Sequence, residues 1–329
     1  MSLSHMKVFN DTYQPAIIET LAQMVEKFNE ASNGAIRLTT DGFGGDFLQE
    51  SFFASLHAAQ RRVDRYATNS SASPTDLTQL QHNSVKVAGG FGPVVFEPSQ
   101  LTWLNKPTAE GVEVISRNFA EAMLKDQLNT AIAALVAALS VAADSKFDVS
   151  ALSAGKNEIT QSALNNSHAL FGDASSNLVA QVMTGAMYHK LIGQNLANAQ
   201  GLYNAGSVRV LDVLGKAVIV TDAPALYTAP VTSPATAGKD RVLSLAEGAA
   251  IVHDGGDIIS NIDTRNGKQR IETTLQVDYT FGLGLKGYAW DTANGGKSPT
   301  DAEIATGSNW DRIATSVKHT AGVIAIGKA

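Results

Sequence analysis

The sequence predicts an α+β protein arranged around one long helix, and three observations carry that reading. Residues 107–144 contain no proline after Pro107 and repeat apolar side chains at helical spacing. Residues 35–98 read as extended chain running out to a glycine-rich tip and back. Residues 239–329 return to short, alternating, strand-like runs after a mixed middle section.

In chain order, residues 11–31 read as a short amphipathic helix with Ile17, Leu21, Met24, Val25 and Phe28 on one side. Asn33 and Gly34 end it in the manner of a helix C-terminus. The residues before it form an arm that could lie extended on a neighbour. Residues 36–39 alternate as a strand, and residues 41–46 (DGFGGD) form a tip that needs a permissive backbone. Phe43, Phe47, Phe52 and Phe53 crowd around that tip. Such a cluster in a projecting loop has two readings: it folds back onto its own core, or it buries against another subunit. Residues 54–66 read as a short charged helix carrying Arg61, Arg62 and Arg65, the densest basic cluster, on a solvated face. Residues 68–74 are linker-like, and residues 85–96 form a second extended arm with a bend at Gly89 and Gly90.

In the long helix, apolar residues recur at Val112, Ile115, Phe119 and Met123, then at Leu124, Leu128, Ile132, Leu135 and Leu139. Thr108 supplies a start signal and Glu110 favours the positive end of the dipole. About 37 residues at 1.5 Å rise span roughly 55 Å, enough to cross a whole subunit. The alanine-rich second half excludes a membrane span, because Gln127, Asn129, Thr130 and Ser140 interrupt it. It lacks the charged flanks of a coiled coil. Small residues all round predict a beam packed on several sides.

Beyond the helix, residues 147–155 are a connector, residues 158–171 a helix capped by Gly172 and Asp173, and residues 174–191 a second helix. Residues 207–211 read as a strand, residues 215–222 as a buried strand, and residues 227–239 as a flexible loop. Residues 241–245 and 249–253 are short strands, residues 270–290 a long extended run, and residues 310–326 two more strands.

Composition narrows the function classes. With 44% hydrophobic and 17% charged residues the chain is an ordinary globular protein. Residues 1–10 lack the apolar core of a secretory leader. A net charge of −6 without basic runs argues against affinity through phosphate neutralisation. The absence of cysteine removes thiol catalysis, disulfides and cysteine-ligated zinc.

No motif for chemistry survives inspection. Gly282, Gly284 and Gly287 match a G-x-G-x-x-G string, but Tyr288-Ala289-Trp290 follows where a phosphate-binding helix should start. Gly296-Lys297-Ser298 lacks the first glycine of a phosphate loop, whose place Asp291 holds. His253, Asp254 and Asp257 form at best half a metal site and read better as a turn between strands. The expectation is therefore no enzyme, no cofactor and no metal.

The order of elements resembles the major capsid proteins of tailed bacteriophages with the Hong Kong 97-like fold. Local strings carry the resemblance: FNEASNGAI from Phe28, LFGDA from Leu170, Val182-Met183, LGK from Leu214, VTD from Val220, LKGYAWD from Leu285, SPTD from Ser298, and Asn309-Trp310. The resemblance implies residues 1–34 as N-terminal arm and helix and residues 35–98 as the extended β-loop. It implies residues 99–156 as a peripheral domain with the spine helix, residues 157–238 as the axial domain, and residues 239–329 as return strands to the peripheral domain and a C-terminal segment. It further implies a virion shell of pentamers and hexamers that encloses DNA without sequence-specific binding, contacts no membrane, and is assembled in the host bacterial cytoplasm. A portal belongs to that picture. With only some 34 residues ahead of the loop, a separate scaffolding protein is expected. Family members that crosslink use a loop lysine, and this chain has none between Lys27 and Lys86, so a non-covalent shell is expected. An encapsulin-type nanocompartment packaging cargo enzymes is the alternative on the same fold.

Overall fold

The computed structural model describes residues 28–30, 32–39, 47–53, 62, 65–66, 68, 79–96, 108–199, 216–232, 235–267, 269 and 271–329. The first described turn is the end of a helix: Ser32 N–H donates to Phe28 O and Gly34 N–H to Asn29 O, with Asn33 and Gly34 at φ 51° and 68°. Three strands follow, β1 (Ile36–Thr39), β2 (Phe47–Phe53) and the long β3 (Gln79–Phe96). Helix α1 (Thr108–Val141) then runs about 51 Å at 1.5 Å per residue.

The two halves of α1 are buried differently. Around 117–127 only Ala120, Met123 and Gln127 are buried, while Arg117, Glu121 and Lys125 are exposed. Within 131–139 every residue is buried except Ala133 and Val136, which are half-buried. Alanine's small side chain lets sheet, strand ends and 3-10 turns close on the helix from several sides. The expected beam is observed.

Next come β4 (Lys146–Asp148), α2 (Gln161–Ala169), the 3-10 helix Gly172–Asn177, β5 (Leu178–Met183), α3 (Gly185–Ala199), β6 (Ala217–Val220), and the short strands β7 (Tyr227–Thr228), β8 (Val231–Thr232) and β9 (Ala235–Thr236). The return section holds β10 (Lys239–Ala246), β11 (Ala250–Asp254), β12 (Ile259–Arg265), β13 (Glu272–Leu285), β14 (Tyr288–Trp290), α4 (Asp301–Ile304), β15 (Trp310–Arg312) and β16 (Gly322–Lys328).

Strand β13 is the axis of an eight-stranded sheet. One edge pairs antiparallel with β3, from Thr273 opposite Phe96 to Leu283 opposite Val85. The other edge pairs first with β12 and then with β11. β1 adds to β11 in parallel, and β2 pairs with the first half of β3. Lys286 and Gly287 turn the chain into β14, with Gly287 at φ 79°, and β15 pairs with β14. Trp290 packs edge-on against Trp310 at 4.9 Å between ring centroids.

The second sheet has six strands, ordered β4-β16-β10-β5-β6 with β7 on the start of β10. Its central strands β5, β10 and β16 are buried on both faces. His168, near the end of α2, is buried above it, with Nε2 2.9 Å from Ser244 Oγ and 3.3 Å from Gln181 Nε2. Burial, aided by the nearby Lys216 ammonium, pushes the imidazole pKa down to about 4.

Several local expectations are corrected. Within 174–191 the structure has a strand at Leu178–Met183, because β6 and β10 hydrogen-bond it on both edges. A short apolar run is ambiguous between helix and strand, and sheet neighbours decide it. The helix begins only after Thr184, whose Oγ1 accepts from Met187 N–H. The strand at Ala217–Val220 lies on the sheet edge and is not buried. The loop 227–239 contains β7, β8 and β9. β12 was not anticipated, since its polar sequence ISNIDTR lacks an apolar alternation. There is no bend at Gly89 and Gly90; β3 runs through them paired to β13. The arm opposite β3 is β2 and not β1. The expected helix 54–66 lies outside the described residues apart from Arg62, Arg65 and Tyr66, which are not helical. The expectations for residues 11–27, 41–46 and 207–211, and for 68–74 except Thr68, also fall outside the described residues.

Candidate assembly surface

The long β3–β13 pairing has two unlike faces. On the inward face, Leu275, Val277, Tyr279, Phe281 and Leu283 are buried in the main core. Phe91 stacks on Tyr279 at 5.6 Å and meets Phe119 of α1 edge-on at 5.8 Å. A Cβ on Gly89 would lie 2.7 Å from Tyr279 Cζ, so only glycine lets the ring lie flat against β3 there. Tyr279 Oη donates to Asp126 Oδ2 of α1 at 2.5 Å. Burial pushes the Asp126 carboxyl up despite that bond, and burial next to Asp126 pushes the Tyr279 hydroxyl up.

The outward face carries the alternate residues. Thr274, Gln276, Asp278 and Thr280 point away from the core, with Gln276 and Asp278 exposed. Ile259 on β12 is 65% exposed and Val95 on β3 is 57% exposed. Between these strands lies an open trough of about 330 Å³ lined by Ala88, Gly90, Asp257, Ile259, Asp278 and Thr280, among others. Asp257 accepts from Thr280 Oγ1 and has Lys86 Nζ at 3.5 Å. Asp278 receives Gln276 Nε2 at 3.1 and 3.2 Å and has no cation beside it among the described residues.

The base of the β2–β3 hairpin is fixed to this sheet. Ser84, Val85 and Val87 are buried, and His82 Nε2 lies 3.0 Å from Leu285 O. Of the four phenylalanines singled out by sequence, Phe43 lies outside the described residues. Phe47, Phe52 and Phe53 lie in β2, opposite Val85, Leu80 and Gln79 of β3; their side chains are outside the description. The open face of β12, β13 and β3 was missed, although the alternation of Gln276, Asp278 and Thr280 with Val277, Tyr279 and Phe281 signals it.

The singled-out stretches take ordinary places in the fold. Gly282 and Gly284 are strand residues of β13. His253 Nδ1 lies 3.2 Å from Thr39 Oγ1, and Asp254 Oδ1 accepts from Gly256 N–H inside a turn. Among the described residues no three His, Asp or Glu side chains converge on a metal position, and no helix is long and apolar enough to cross a membrane.

A long helix braced by two sheets, with the β2–β3 hairpin continuing beyond one of them, is the frame of the chain. The family model Gp13-like: Major capsid protein 13-like matches residues 5–324, and the chain belongs to this family. It is a self-assembling phage capsid protein, a structural component of the virion. The fold is similar to that in the cyanophage Pam1 capsid asymmetric unit, with TM-score 0.54 and 12% identity over 89% of this chain and 88% of that one. It is also similar to that in the capsid of Ralstonia phage GP4, with TM-score 0.51 and 11% identity over 91% and 88%. The architecture is the α+β Hong Kong 97-like capsid fold. No curated protein matches the sequence.

Proposed function

We propose that the chain forms the icosahedral head shell of a tailed bacteriophage as pentamers and hexamers enclosing the DNA genome. The family match across 5–324 carries this reading. Enclosure needs no phosphate-binding face, in keeping with a net charge of −6 and no basic run. Each contact is modest, but every subunit is held by several neighbours, so the shell is cooperative.

In this reading residues 1–34 are the N-terminal arm and helix, residues 35–98 the extended loop, and residues 99–156 the peripheral domain with α1 as spine. Residues 157–238 form the axial domain, and residues 239–329 return to the peripheral domain. Phe43, Phe47, Phe52 and Phe53 bury against an adjacent subunit. The shell is non-covalent: no lysine lies between Lys27 and Lys86, and no cysteine is available for disulfides. A separate scaffolding protein and a portal act with it, in the host cytoplasm.

Negative-stain electron microscopy of the purified protein with its scaffolding partner, alongside size-exclusion mass, tests this. Closed shells, tubes, or rings of five or six subunits are expected. A clean monomer in the presence of that partner overturns the reading. A ladder of crosslinked bands on a denaturing gel of mature particles overturns the non-covalent part.

A further inference from the structure

We infer that the trough on the outer face of β12, β13 and β3 receives Arg62 and Arg65 from the loop of a second copy of this chain, with Asp278 as the anchoring carboxylate. This rests on the reading that the β2–β3 loop lies over an adjacent subunit, and it names the surface that takes the loop.

The chemistry of the trough fits a guanidinium. Among the described residues, the lining carboxylate Asp278 is met by the amide donors of Gln276 and by no cation. The second carboxylate of the trough, Asp257, is already offset by Lys86 at 3.5 Å, so Asp278 carries the uncompensated charge. The walls are Ala88 and the exposed Ile259, apolar surface that suits the alkyl stem of an arginine while its planar head meets a carboxylate through two hydrogen bonds. The residue across the ladder from Asp278 is Gly90, where a Cβ would come within 2.8 Å of Asp278 Oδ1. Glycine there keeps the approach to that carboxylate open.

The donor is identified by charge and by topology. Arg62 and Arg65 belong to the densest basic cluster of the chain, which stays net positive with Asp64 included. They lie in sequence between β2 and β3, the two strands of the hairpin. Both are exposed, and neither has an acidic partner among the described residues. A cationic loop and an anionic trough on the same chain form a head-to-tail pair, and such a pair propagates from copy to copy.

Charge reversal tests it in full-length chains made with the scaffolding partner and fractionated for particles. R62D/R65D and D278R are each expected to lower particle yield roughly tenfold or more, and the chain carrying all three substitutions to recover to within about threefold of the unsubstituted chain. Unsubstituted yield from either reversed chain overturns the pairing, as does a triple variant no better than its parents. If D278R fails to fold by circular dichroism, D278S replaces it, and unchanged yield with that milder change overturns the pairing equally. Absence of particles from the unsubstituted chain counts against the shell reading itself and is thereby distinguished.

Discussion

The six-stranded sheet and the outer end of the eight-stranded sheet are built from equally regular ladders, but they differ in what covers them. Strands β5, β10 and β16 are buried on both faces, by α2, α1 and their own neighbours. Strands β3, β12 and β13 bury Val277, Tyr279 and Phe281 on one face and leave Asp278, Val95 and Ile259 open on the other. A face closed within the chain serves stability; a face left open is available to another copy. Substitutions in the two regions should therefore separate folding from assembly.

The largest effect is expected in the closed sheet. Leu243→Ala removes a fully buried side chain from the centre of β10 and should lower unfolding free energy by about 3 kcal/mol, read from urea midpoints. Acid should act on the same region. The His168 pKa lies below its unfolded value, so the unfolded chain takes up a proton first as pH falls. That share of stability is complete above about pH 6.5 and is lost toward pH 4, at up to about 1.4 kcal/mol per pH unit. His168→Gln should flatten the slope; an unchanged slope would show that other groups set it.

The seam between the two regions should respond less. Tyr279→Phe removes the donor to Asp126 and leaves a half-buried carboxylate without that bond, which should cost about 1–2 kcal/mol. Asp126 itself titrates in the opposite sense to His168. Its pKa is raised by burial, so its share of stability is present below the unfolded value of 3.8 and is lost as pH rises above it. Asp126→Asn, which retains an acceptor for Tyr279, should therefore be neutral to stabilising at pH 7 and without effect in strong acid.

The smallest folding effect is expected at the open face. Ile259→Ser should change subunit stability by less than about 0.5 kcal/mol, because the side chain is already in water. Its effect on particle yield should be the larger one, and a variant that melts early but assembles normally would erase the contrast drawn above. Phe47→Asp sharpens it at the hairpin: a charge buried at a contact should block assembly while the subunit stays folded, and normal particles would remove Phe47 from the interface.

Much of the architecture was legible because it rests on long periodic signals. The spine helix could be read from the spacing of Phe119, Met123, Ile132, Leu135 and Leu139, and β13 from its two-residue alternation. Short elements were not legible for a physical reason. Leu178–Met183 is apolar except for Gln181 and too short to show a period, and only the hydrogen-bonding edges of β6 and β10 make it a strand. Ile259–Arg265 is mostly polar, with Ile259 and Ile262 three apart and so out of strand alternation, and its place is dictated by the edge of β13. The phenylalanines mark the hairpin in the sequence because four of them fall within eleven residues around a glycine-rich tip. The trough escaped notice because its parts come from residues 88–90, 257–259 and 278–280, which meet only once the sheet forms.

Strand β16 bears on the timing of synthesis. Residues 322–328 lie between β4 and β10, so the six-stranded sheet has a gap near its middle until they are made. A ribosome that has completed everything up to Ala321 still holds a subunit whose second sheet cannot close, with β4 and β10 separated by an empty slot. Contacts of such long sequence separation form late. The six-stranded sheet therefore closes only after residues 322–328 have been made and have inserted between β4 and β10.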